Sequence, residues 1–146
     1  MNFKGILYYL SLFFFPVSFL SFINILYSAY FDYFLSLDSY IITFFSSLFI
    51  GTGIYFYSKN HSKKINFYEQ LILIFLVFLI IPLIISIPFY LSNYQLTLIN
   101  SYFESVSGFT GTGFSIFENI KYLDPTLIIW RSSSQWLGGF YFLIFL

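Results

Sequence analysis

Leu98-Ile-Asn-Ser-Tyr-Phe-Glu-Ser-Val-Ser107, running on as Gly108-Phe-Thr-Gly-Thr-Gly-Phe114, is the stretch on which the fold turns. Its first part has helical character, and its second part is a Gly- and Thr-rich run. A hydrocarbon core of ~30 Å takes about 20 helical residues at ~1.5 Å each, so the segment is too short to cross a bilayer and return. It is also too apolar for a free loop. A short re-entrant helix followed by extended backbone meets both constraints. Non-helical backbone survives at membrane depth only where it lines a water-filled path or is buried in protein.

The flanks set this stretch in a membrane. Of 146 residues, 59% are hydrophobic, 27% aromatic and only 8% charged. A soluble domain carries about 25% charged residues, so the apolar surface here is expected to face lipid. Four apolar segments follow from the pattern: 6–30, 39–57, 68–91, and one that begins after Pro125 and is still apolar at Leu146. The first exceeds the ~7–15 apolar residues of a signal peptide and has no clean small-residue cleavage site, so it is read as an uncleaved helix kinked at Pro16. Pro82 and Pro88 are expected to kink the third. Asp124 followed by Pro125 fits the start of the fourth, as N-cap and first helical residue. A chain end within an apolar run would leave a carboxylate near hydrocarbon, and the expectation is a partial sequence.

Orientation follows from the basic residues. Lys4 precedes the first segment, and Lys59, Lys63 and Lys64 gather with His61 between the second and third. The Lys/Arg bias places the N-terminus and this connection in the cytoplasm. Residues 31–38, with Asp32 and Asp38, and residues 92–125 then face outward. The basic cluster reads first as this topology signal, and second as a contact for anionic lipid or a cytoplasmic regulator.

Several function classes drop out. A net charge of +0 gives no reason to expect a nucleic-acid partner. With Cys 0, disulfides, thiolate metal sites and cysteine nucleophiles are excluded, and one His makes a His-rich metal site within this chain equally remote. No nucleophile–base arrangement, metal-ligand spacing or phosphate loop points to an enzyme.

The chemistry of the central stretch suits a monovalent cation. Unpaired carbonyls give the C-terminus of the short helix a partial negative charge. Extended backbone after it can turn carbonyl oxygens toward an axis and replace the ion's water shell. Gly111 and Gly113 permit positive φ and close backbone approach, and Thr110 and Thr112 add hydroxyl oxygens. The bland reading of both glycines is turn flexibility alone. Glu104 sits on the short helix, where an ionisable group is a functional hypothesis by default. It pairs with Arg131 near the top of the fourth helix in one reading. In the other, Arg131 snorkels to the outer interface and Glu104 faces water. Gly138-Gly139 reads as a site of close helix packing, with a gating hinge as the less favoured alternative.

Two phrases make the pattern specific. Phe103-Glu-Ser-Val-Ser-Gly-Phe-Thr110 with Gly113, and Trp130-Arg-Ser132 with Gln135-Trp-Leu-Gly-Gly139, resemble the Trk/Ktr potassium-uptake family, most closely its Trk-type membrane subunit. The family phrases run F-E-A-V-S-G-F-T-T-T-G and W-R-S-x-x-Q-W-L-G-G. This chain has Gly111 where Thr is usual, Phe114 where a small residue is usual, and Phe140-Tyr141 in place of Leu-Gly. The resemblance implies four repeats of helix, pore loop and helix around one pore, with two leading helices in Trk-type members. The fold class it implies is all-α integral membrane: two leading transmembrane helices in 1–58, a cytoplasmic connection in 59–67, and a first, incomplete helix–pore-loop–helix repeat in 68–146 with its last helix truncated.

Function is implied in the same way. The expected activity is K⁺ uptake across a bacterial cytoplasmic (inner) membrane, through a selectivity filter including the backbone of Thr110, Gly111, Thr112 and Gly113. K⁺ is cargo, and no cofactor is covalently bound. Glu104 and Arg131 support the pore loop. A homodimer and a cytoplasmic nucleotide-binding regulatory subunit are the implied partners, beside membrane lipid. The alternatives are a Na⁺-dependent Ktr-type transporter subunit and a non-conducting membrane fragment.

Overall fold

The computed structural model describes residues 2–33, 37–60 and 64–145. His61 and Lys63 of the basic cluster, residues 34–36 of the first connection, and Leu146 lie outside the described residues. The elements in chain order are α1 (Phe3–Leu12), α2 (Phe14–Tyr30), α3 (Leu37–Ser58), α4 (Phe67–Tyr90), α5 (Leu98–Phe109) and α6 (Pro125–Phe145), with a 3-10 turn at Ile120–Tyr122. No strand occurs among the described residues. Among the described residues, three stretches are long and apolar enough to cross a membrane: Phe3–Tyr30, Leu37–Ser58 and Phe67–Tyr90. Large apolar side chains such as Phe19, Phe49 and Phe75 point outward from all three.

The first apolar segment departs from expectation. Its irregularity lies at Phe13, between α1 and α2, and not at Pro16. Proline has no N–H for the carbonyl four residues earlier, and its ring crowds that carbonyl, which here belongs to Leu12. The strain therefore emerges one turn upstream, where the Phe13 N–H takes the tighter bond to the Leu10 carbonyl at 3.1 Å.

Small and hydroxylated side chains bring α2 and α3 together. Ser21 Oγ donates to the Tyr40 carbonyl at 2.7 Å, and Ser18 Oγ to the Phe44 carbonyl at 3.4 Å. Gly51 lets α3 press on Phe14, since a β-carbon there would lie 2.9 Å from that side chain. In a bilayer, close backbone approach and interhelical hydrogen bonds replace the hydrophobic drive available in water.

Helix α4 is the central post. Leu73, Val77, Ile81, Ile85 and Phe89 recur every fourth residue and are all buried, which makes one continuous stripe along the helix. At its start, Asn66 N–H donates to Glu69 Oε2 at 2.8 Å, and the backbone N–H of Asn2 also donates to the Glu69 carboxylate. Asn2 Nδ2 reaches the Lys64 carbonyl at 3.1 Å. The chain's start and the connection before α4 therefore share one end of the bundle. At the other end, Asp124 N–H donates to the Tyr94 hydroxyl at 2.8 Å. Asp124 Oδ1 there accepts from Thr126 N–H at 2.9 Å, the N-cap geometry expected of it.

Candidate functional site

Helix α5 is capped by Thr97, whose hydroxyl accepts from Asn100 N–H at 3.2 Å. Its last residue, Phe109, packs edge-on against Phe78 at 5.2 Å between ring centroids. It also lies against the backbone of Gly138. Phe78 and Gly138 are near the middle of α4 and α6, while the two ends of the segment meet at Tyr94 and Asp124. The chain thus enters from one end of the bundle, reaches its middle, and returns to the same end.

Side chains of α5 and α6 hold this element onto carbonyls of α4. Tyr102 Oη donates to the Leu79 carbonyl at 3.0 Å, Ser105 Oγ to that of Pro82 at 2.8 Å, and Trp130 Nε1 to that of Ile85 at 3.0 Å. The three acceptors are spaced by three residues along the stretch of α4 that carries Pro82, and each carbonyl has a second lone pair for a donor outside its own helix. Tyr102, Ser105 and Trp130 were not assigned these roles from sequence.

The helix runs two residues further than the sequence pattern suggested. Gly108 belongs to α5, packed against Ser134, and the helix closes in a turn at Thr110-Gly111 before irregular backbone begins at Thr112. Gly111 and Gly113 take positive φ, 71° and 84°, a left-handed conformation that favours glycine. No atom lies within 4 Å of a β-carbon built at either position, so conformation and not crowding requires glycine. The Ser107 carbonyl accepts from Thr112 N–H at 3.1 Å and folds the run back over the helix end. Thr110 Oγ1 lies 2.6 Å from Thr112 Oγ1 and donates to the Val106 carbonyl at 2.8 Å. Residues 110–114 are exposed on the surface of the chain.

Behind this run lies a charged pair. Glu104 is 0% exposed, and Arg131 Nε donates to its Oε1 at 2.6 Å. The same carboxylate accepts from Ser115 Oγ at 3.0 and 3.1 Å and from Ile116 N–H at 3.0 Å. Arg131 Nη2 lies 3.4 Å from the carbonyls of both Gly113 and Phe114. Of the two readings of these residues, the geometry has the pair. A buried charge in low dielectric needs both a counter-ion and hydrogen bonds on its remaining lone pairs, and Glu104 has both. Ser115 and Ile116 were not singled out from sequence, since nothing in a polar link marks which residue will bond a carboxylate eleven or twelve positions back.

The glycine pair on α6 divides. A β-carbon on Gly138 would fall 1.6 Å from the Phe109 carbonyl oxygen, which is the close packing expected of it. Gly139 has nothing within 4 Å of such an atom and faces outward.

Comparison with known proteins gives partial but concordant matches. The chain is 29% identical over 105 residues to the Trk system potassium uptake protein TrkG of Escherichia coli, covering 71% of this chain and 22% of that one. It is 48% identical over 54 residues to TrkI of Halomonas elongata, 37% of this chain and 11% of that one. With an uncharacterized cation transporter of Methanocaldococcus jannaschii it shares 32% identity over 77 residues, 53% of this chain and 16% of the relative. The chain thus spans less than a quarter of the length of these curated relatives. No family model and no solved structure matches it.

Proposed function

We propose that this chain, which resembles the Trk potassium uptake proteins, forms part of the ion-conducting subunit of a potassium-uptake system in the cytoplasmic membrane. The observation that carries this reading is the end of α5 at the middle of the bundle, followed by exposed backbone with left-handed glycines at 111 and 113. The division proposed is two leading helices in 1–58, a cytoplasmic connection in 59–67, and a helix–pore-loop–helix unit in 68–146. The N-terminus is assigned to the cytoplasmic side.

In this reading α5 is the pore helix, and Thr110, Gly111, Thr112 and Gly113 are one segment of the filter. Its C-terminal carbonyls supply partial negative charge near the ion, and the backbone oxygens that follow stand in for part of its hydration shell. Glu104 and Arg131 hold the run from behind, so the ion meets oxygens whose position is already set. The cargo is K⁺, and the chemistry is transport and not catalysis. The working assembly is a homodimer with a cytoplasmic nucleotide-binding regulatory subunit.

The test is ⁸⁶Rb⁺ uptake in cells that lack their own K⁺ systems. Uptake above the empty-vector level, abolished by Gly113→Asp with the protein still present in the membrane, supports the reading. Membrane-inserted protein with no uptake would make it a non-conducting component.

A further inference from the structure

We infer that Tyr141 is a positioning residue that sets the end of the pore helix against the break between α1 and α2, so that the leading helices help to fix filter geometry. This rests on the pore-helix reading of α5 given above.

Tyr141 is 1% exposed and touches both partners at once. Its hydroxyl donates to the Phe13 carbonyl at 2.6 Å, at the residue where the first apolar segment is interrupted. Its ring meets Phe13 edge-on at 4.6 Å between centroids and Phe109 edge-on at 5.7 Å. Gly138 lies three residues earlier, on the same face of α6, and its α-carbon sits beneath the Phe109 carbonyl. One turn of α6 therefore holds Phe109 by its backbone and its ring. Thr110 is the next residue and the first of the proposed filter. The hydroxyl anchors that turn to the break that Pro16 creates in the leading segment. A slip of Tyr141 along α1–α2 would move Phe109, and with it the carbonyls that follow.

The experiment compares Tyr141→Phe, which keeps the ring and removes the hydroxyl, with Pro16→Ala, which restores an N–H donor for the Leu12 carbonyl and removes the cause of the break. The readout is discrimination between Rb⁺ and Na⁺, with maximal uptake measured alongside. We expect each variant to lower discrimination about fivefold, the scale of one neutral hydrogen bond, while maximal uptake is retained. The double variant should do no more than either alone, because both act on one contact. Wild-type discrimination in Tyr141→Phe overturns the proposal. If the unmodified protein carries no Rb⁺, the conduction reading fails and a second readout decides this one. The chain has Cys 0, so Thr112→Cys gives a single thiol for a membrane-impermeant reagent. A labelling rate changed by Tyr141→Phe supports the positioning role, and an unchanged rate overturns it.

Discussion

The α-carbon of Gly138 lies directly under the carbonyl of Phe109, with room for a hydrogen and none for a methyl group. The oxygen belongs to backbone at the end of α5, so it cannot swing aside as a flexible side chain would. Gly138→Ala must push α5 and α6 apart. The expected cost lies at or above the top of the ~1–3 kcal/mol usual for overpacking, with Rb⁺ uptake lost. Gly139→Ala, at an open position, should be near neutral. Thermal unfolding in detergent beside uptake distinguishes the two.

Arg131→Leu leaves the buried Glu104 carboxylate without its counter-ion, and breaking such a pair costs about 3–5 kcal/mol. Adding Glu104→Gln removes the stranded charge. The double variant should therefore unfold at a higher temperature than Arg131→Leu alone, yet remain inactive, because the Arg131 contacts to the Gly113 and Phe114 carbonyls are gone. Full transport by Arg131→Leu would show that the pair has no part in function.

Gly113→Ala and Gly111→Ala test conformation without collision. Each places a β-carbon in open space but in left-handed backbone, at roughly 1–2 kcal/mol. The protein should still accumulate in the membrane. Rb⁺ uptake should fall sharply, most of all for Gly113→Ala, where Arg131 holds the adjoining carbonyl. Membrane quantification by immunoblot, set against initial uptake rate, separates amount from activity.

Trp130→Phe removes the donor to the Ile85 carbonyl and keeps most of the apolar volume. A loss of about 1–2 kcal/mol is expected for the hydrogen bond and the slightly smaller ring together. Because the Trp130 side chain bonds Ile85 and packs on Tyr40 instead of the run at 110–114, uptake per folded molecule should change little. A large fall in that ratio would mean α6 transmits its position to the filter through this contact as well.

Helix locations were legible because each obeys a local rule. Asp124-Pro125 marks the start of α6, and the apolar runs mark α3 and α4 to within about two residues, the usual uncertainty of helix ends. The Glu104–Arg131 pair was legible as one of two options, since an isolated charge at that depth needs a partner and the chain has few to offer. The break at Phe13 was not, because proline acts on a carbonyl four residues back and the strain surfaces where packing lets it. Nor were the roles of Ser115, Tyr102 and Tyr141. Those depend on which backbone oxygen or carboxylate comes within reach after the helices have docked, a property of three-dimensional placement with no periodicity to read.

The contacts of Tyr102, Ser105 and Trp130 with α4 have an uneven consequence for how this protein can diverge. On one side of each contact is a particular side chain; on the other is a peptide oxygen that every residue type carries. Leu79 and Ile85 can drift among apolar residues without loss of an acceptor, whereas their partners have few substitutes. Related sequences should therefore vary freely along the α4 side of this seam while the opposing side stays nearly constant. A search that weights the most apolar helix will miss the kinship that the shorter, more polar segments preserve.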